Sequence, residues 1–244
     1  MSFVPLHNFN PNSFKTSTLI LPTVSIGNVP QLVTDLLIHT FKLERVGFLD
    51  DNDVMPVAGV REDVNQPVFQ SKDKRWTCIQ QRSPAVKGKR NEFIQHIKEF
   101  ALNFAHVVIL TTMDASRRLD SQIQGAPFRV YGEGNVMMRS ATLGIPVLEN
   151  LELESNQDNK ENGRKVHLPG SGLARHLYEA LSKDIETTLL IMFALEGDNA
   201  QDSIEFARFV NTLLQIQTTN LSSWTIPKSW EYLFGTPYNA ELYQ

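Results

Sequence analysis

Hydrophobic and polar positions alternate with different periods along the chain, and each change of period marks an element. Residues 18–21 form a short apolar run that stops at Pro22, which predicts a buried strand. After Ser25-Ile26-Gly27-Asn28 the period becomes helical. Val29, Leu32, Val33, Leu36 and Leu37 share one face, and Pro30 falls in the first turn, where its missing N–H is not needed. Residues 45–49 and 76–80 read as strands, separated by a turn-rich stretch with short extended pieces at 55–60 and 68–70. Phe93, Ile94, Ile97, Phe100, Ala101 and Phe104 then mark a strongly amphipathic helix, with Lys98 and Glu99 facing out. Residues 106–110 are wholly apolar after His106, as suits a central parallel strand buried on both faces.

The pattern fades elsewhere. The first fifteen residues read as a loose lead-in, 113–150 as irregular chain, and 150–165 as an exposed, mobile loop without apolar periodicity. Order resumes at Val166. A Pro169-Gly170-Ser171-Gly172 turn opens a helix that buries Ala174, Leu177, Tyr178, Leu181 and Ile185, and 189–195 is another buried strand. In the last helix, Phe206, Phe209, Val210, Leu213 and Ile216 form the stripe. Asp198 is placed to cap it, with Gln201 completing a capping box. Strands alternating with helices predict an α/β layered sandwich, its sheet largely parallel or mixed and flanked by helices. One domain is expected over 1–217, followed by an aromatic C-terminal tail over 218–244.

Composition narrows the function. The chain has 244 residues, 41% hydrophobic and 20% charged, enough for one large core. A net charge of −4 supplies no basic field for nucleic acid. Cys78 is the single cysteine, which rules out an internal disulfide and suits a reducing compartment. The start of the chain lacks a secretory pattern, and no apolar run is long enough to span a bilayer. An intracellular chain is the expectation.

Candidate chemistry is sparse. The 169–172 turn could bind an anion at a helix start, but it lacks the phosphate-loop lysine and is not Gly-x-Ser-x-Gly, so Ser171 is no nucleophile elbow. A tight strand-to-helix turn is the competing reading. Gly132-Glu133-Gly134 begins like a dinucleotide fingerprint, but Met137 replaces the third glycine and no clear strand–helix pair flanks it. None of the six histidines has metal-ligand spacing, so no metal site is expected; His96 and His106 read as structural. Cys78 reads as a buried, inert thiol. Lys87-Gly88-Lys89-Arg90 and Arg117-Arg118 are the basic clusters; the first precedes a helix and reads as a solvated entry or as a contact for an acidic partner surface. Glu196 and Asp198 have no partner base and form no acid–base site. No cofactor is expected.

The tail is different. Trp224, Ile226, Trp230, Tyr232, Leu233 and Phe234 crowd a stretch without helical period. Such residues must cover either their own domain or a partner, so Trp224, Trp230 and Phe234 are candidates for a partner surface. The chain ends Leu242-Tyr243-Gln244, a hydrophobic-Tyr-x ending of the kind that inserts into proteasome pockets. Tyrosine offers apolar area with a hydroxyl, leucine an anchor, and the terminal carboxylate a charge to pair.

Several stretches together resemble the proteasome assembly chaperone 2 family. They are 21–29 with Gln31-Leu32 and Asp35-Leu36, then Ala126-Pro127-Phe128-Arg129, 168–172, Glu196-Gly197-Asp198-Asn199, and 224–235. Pro30 departs from the pattern, and 51–74 and 150–165 do not align. The resemblance implies a non-enzymatic chaperone that pairs with proteasome assembly chaperone 1. The pair would bind the α-subunit ring of the 20S core particle, promote its formation and block premature activator docking. It implies that Leu242, Tyr243 and Gln244 engage a pocket between α subunits, in the cytoplasm and also the nucleus, without nucleic acid or membrane. The alternatives are an α/β enzyme or small-ligand-binding protein with an anion site at 169–172, and an adaptor whose aromatic tail binds another complex.

Overall fold

A computed structural model describes residues 2–55, 66–149, 166–217, 221 and 223–231. The strands are β1 (Ser2–Pro5), β2 (Thr18–Pro22), β3 (Glu44–Asp50), β4 (Gln66–Gln70), β5 (Trp76–Ile79), β6 (His106–Asp114), β7 (Phe128–Gly132) and β8 (Thr187–Ala194). The helices are α1 (Val29–Thr40), α2 (Arg90–Ala101), α3 (Asp120–Ile123), α4 (Asn135–Thr142), α5 (Ala174–Leu181) and α6 (Ala200–Leu214). The expected loop at 150–165 and the extended piece at 56–60 lie outside the described residues.

The strands form one mixed sheet in the order β1-β3-β4-β5-β2-β6-β8-β7. Its centre, β5-β2-β6-β8, is parallel; the remaining pairs are antiparallel. Alternation along β2 divides the core. Leu19 and Leu21 face α2 and α5, against Phe93, Ile97, Leu177 and Leu181. Ile20 faces α1 and α6, against Val33, Leu37, Phe206 and Val210. Helices on both faces explain why β6 and β8 read as unbroken apolar runs rather than alternating ones.

Three expectations need correction. The lead-in is ordered: β1 pairs antiparallel with β3, and a 3-10 turn follows at Pro11–Thr16. Its anchor is aromatic. Phe14 is 1% exposed and its ring centroid lies 5.2 Å from Phe3, 5.2 Å from Phe9 and 4.7 Å from Phe104. Phenylalanines too widely spaced to show a period can still build one cluster in space.

The stretch 113–150 is not irregular either; it carries α3, β7 and α4. A strand and a helix do therefore flank Gly132-Glu133-Gly134. β7 is an edge strand that includes a buried arginine, Arg129, over the Phe193 ring at 5.3 Å, which breaks the apolar signature. At α6 the N-cap position belongs to Asn199, without a side-chain cap bond, and the capping box with Gln201 does not form. Asp198 instead accepts the Ala200 N–H at 3.0 Å.

Among the described residues, no helix is long and apolar enough to cross a membrane.

Candidate functional site

Three separated sequence motifs meet at the C-terminal ends of the parallel strands. The Ile26 N–H donates to the Gly170 carbonyl at 2.9 Å, and the Asp114 N–H to Pro169 at 2.9 Å. Gly27 adopts φ +72°, and a Cβ there would sit 2.6 Å from Asn199 Nδ2 and 2.9 Å from the Leu195 carbonyl. Thus the 25–29, 169–172 and 196–199 stretches lock together. Buried hydroxyls complete the lock. Ser25 and Thr112 share a hydrogen bond of 2.7 Å, and the Thr112 N–H donates to Ser25 Oγ at 3.2 Å. Thr23 donates to Thr111 at 2.9 Å, and Thr111 to the Ser171 carbonyl at 3.2 Å. The Ser171 hydroxyl is 2.7 Å from the Leu168 carbonyl, so it is committed to backbone. Such a network specifies one arrangement of loops because each member has its partner.

Beside this rim lies a cleft of about 340 Å³. Thr23, Gln81, Lys87, Arg90, Phe93 and Leu173 are among its walls. Of the basic cluster, Lys87 and Arg90 thus border a concavity, while Lys89 pairs with Glu92 at 3.2 Å. At Gly134, on the opposite side of the sheet's parallel core, the Glu186 side chain occupies the space a Cβ would need, and its Oε1 accepts the Asn135 N–H at 3.1 Å. A carboxylate fills the position where a dinucleotide phosphate would have to approach. His106 Nδ1 stands 3.2 Å from the same carboxylate.

Cys78 is fully buried in β5, and burial pushes its thiol from 9.0 up to about 12. The buried, inert reading holds. At neutral pH the thiolate fraction falls roughly a thousandfold relative to an exposed cysteine. A disulfide-exchange reagent is therefore expected to leave native Cys78 unmodified and to label it fully in denaturant; fast labelling of the folded chain would contradict this packing.

The described part of the tail folds back on its own domain. Trp224 meets Phe41 edge-on at 5.8 Å, and the Thr225 N–H donates to Thr40 Oγ1 at 3.0 Å. A 3-10 turn at Lys228–Trp230 then brings Trp230 Nε1 to 3.2 Å from Asp35 Oδ2. Both tryptophans pack on the core layer of α1 and α6 and keep part of each ring in solvent. Phe234, Leu242, Tyr243 and Gln244 lie outside the described residues.

Asp35, which belongs to the stretches that carry the family resemblance, has a role that motif reading did not assign. It is 1% exposed within α1 and collects three donors from two segments: Gln80 and Arg82 Nη2 (3.1 Å) from the chain just after β5, and Trp230 from the tail. One signal was legible. Asp35 sits in a helix so apolar that ten consecutive positions, from Val29 to Ile38, are buried, and a carboxylate there must find partners. A second grouping had no signal in spacing. Asp51 and Asp53, just after β3, meet His96 of α2, bringing together three groups of metal-ligating type.

A mixed sheet with helices on both faces is the fold that the comparisons bear on. The PAC2 family model matches residues 19–214, and the chain belongs to that family. Within it the chain is similar to the protein named proteasome assembly chaperone 2 of Nematostella vectensis. The two are 32% identical over 234 residues, covering 88% of this chain and 96% of that one. The human protein of the same name is 29% identical over 265 residues, covering 99% of this chain and all of its own length. Among solved structures, Pyrococcus furiosus PbaA, an archaeal homolog of proteasome-assembly chaperone, superposes with a TM-score of 0.60 at 14% identity, covering 84% of this chain and 80% of that one. PbaB, an archaeal proteasome activator from the same organism, gives 0.59 at 12%, covering 89% and 90%. At those identities the likeness concerns the fold.

Proposed function

We propose that this chain is a non-enzymatic chaperone of proteasome assembly. The observation that carries the reading is its similarity, over nearly the full length of both chains, to relatives named proteasome assembly chaperone 2. In the finer form of the proposal, it works as a heterodimer with proteasome assembly chaperone 1 on the α-subunit ring of the 20S core particle, in the cytoplasm and nucleus. There it favours ring formation and delays activator docking.

The mechanism is attachment at two points. The α/β domain supplies a broad contact. Leu242, Tyr243 and Gln244 supply a small anchor in a pocket between α subunits, and tethering raises the anchor's effective concentration. The docking of Trp224 and Trp230 on α1 sets where the tail leaves the domain. Their solvent-facing parts, beside Ile226 at 56% exposure, and Phe234 are the surface assigned to a partner.

The test is affinity capture with the tagged full chain and with a version lacking Leu242-Tyr243-Gln244. The full chain is expected to recover a second chaperone and α subunits. The truncation is expected to keep the chaperone and lower α-subunit recovery at least about tenfold. Capture of neither by the full chain would overturn the reading; equal α-subunit recovery by both would remove the tail from the mechanism.

A further inference from the structure

We propose that Asp51, Asp53 and His96 form a binding site for a single divalent transition-metal ion of the zinc type, clamping the turn after β3 to helix α2. The site is defined by geometry. His96 Nδ1 lies 3.3 Å from Asp51 Oδ1 and 3.2 Å from Asp53 Oδ2. Ligand atoms bound about 2.0–2.1 Å from zinc at tetrahedral angles stand about 3.3 Å apart, so both separations match edges of such a ligand set. One ligand atom from each residue falls within 4.8 Å of the other two.

Hydrogen-bond supply points the same way. An imidazole nitrogen carries at most one hydrogen, and here it faces two carboxylates. Asp51 is 1% exposed at its side chain. Its Oδ1 also accepts the Asp53 N–H at 2.9 Å, but its Oδ2 is buried without a donor among the described residues. An unpaired carboxylate oxygen inside a protein is expensive. Among the described residues, Lys89 does not meet that need. Lys89 Nζ stands 3.9 Å from Asp53 Oδ1 and is engaged by Glu92 at 3.2 Å. One divalent ion would satisfy both carboxylates and the imidazole together and would neutralise their charge.

The ligands select the ion. Magnesium and calcium favour all-oxygen shells, whereas an imidazole with two carboxylates suits zinc and its neighbours. His96 remains 27% exposed and Asp53 11%, which leaves an approach from solvent and room for a water as fourth ligand. The surrounding backbone holds the turn in place. The Val86 N–H donates to the Asp53 carbonyl at 2.7 Å, and the Met55 N–H to Pro84 at 3.1 Å. Binding would therefore brace the 84–86 segment, which forms one wall of the cleft beside the rim.

The full chain, stripped with a chelator, is titrated with zinc chloride by calorimetry, alongside His96→Gln, Asp53→Asn and Asp51→Asn. His39→Gln, at an exposed position on α1, is the control. Cobalt absorbance reports ligand geometry, and thermal melts in chelator show that each variant is folded. One equivalent of zinc is expected to bind in the micromolar range or tighter. Second-sphere changes alone weaken metal sites ~10–100-fold, so loss of a direct ligand should weaken binding at least about tenfold. Should Asp51→Asn fail to fold, the partly exposed His96 and Asp53 still decide the matter. The proposal is overturned if zinc does not saturate below millimolar concentration, or if His96→Gln and Asp53→Asn bind as tightly as the parent chain.

Discussion

Replacing Asp35 by alanine is expected to lower the free energy of unfolding by about 2–4 kcal/mol. Its carboxylate is 1% exposed and accepts hydrogen bonds from Gln80, Arg82 and Trp230. Hydrogen bonds to a charged group are worth about 1.5–3 kcal/mol each, and loss of the acceptor strands three donors drawn from two segments. Arg82 moderates the loss, because its side chain is 48% exposed and can be hydrated. That consideration keeps the figure below the full sum. Urea denaturation measures it, and a loss below about 1 kcal/mol would show that the three contacts do not act together. Trp230→Phe isolates the tail. It removes one donor and keeps most of the apolar area, with an expected loss of about 1 kcal/mol. The same substitution should speed proteolysis after residue 217, since release of Trp230 frees the segment from α1.

Gly172→Ala is expected to destabilise the fold by about 2–4 kcal/mol. Two independent penalties meet there. The residue holds φ +61°, which alanine adopts at a cost of roughly 1–2 kcal/mol, and the added Cβ would overlap the Val24 carbonyl oxygen. Gly144→Ala separates them: its φ is +69°, and nothing lies within 4 Å of its would-be Cβ. That control should lose only the conformational part. If both variants lose the same amount, close approach of the 169–172 turn to Val24, just after β2, is not what the glycine serves. The anion-site reading of the turn bears on the same position. Ser171 is already committed to the Leu168 carbonyl and Gly172 is pressed against Val24, so the backbone itself accounts for both residues.

The legible part of this protein was local. Apolar periodicity located β2, α1, β5, α2, β6, α5, β8 and α6, because elements buried by a two-sided core must carry their burial in their composition. It missed β1 and β7, edge strands of the sheet, the four-residue α3, and α4, which keeps only its Ser140 fully buried. Edge positions have one neighbouring strand and less burial, so their residues need not follow a strict pattern. The capping of α6 was misplaced by one residue, since Asp198 and Asn199 are both competent and the loop alone chooses which occupies the cap.

By itself, the sequence determined the layered α/β class, the inert burial of Cys78 and the family, the last through short glycine-containing stretches whose order along the chain is informative. Only the tertiary structure decided what those stretches do. Gly27 and Gly172 matter because loops from distant parts of the chain approach more closely than a side chain would permit. Asp35 matters because Gln80, Arg82 and Trp230 arrive from 45, 47 and 195 residues away. Asp51, Asp53 and His96 follow the same logic. Their ligand atoms converge across 45 residues of intervening chain, and spacing rules see only what a single helix or loop can bring together.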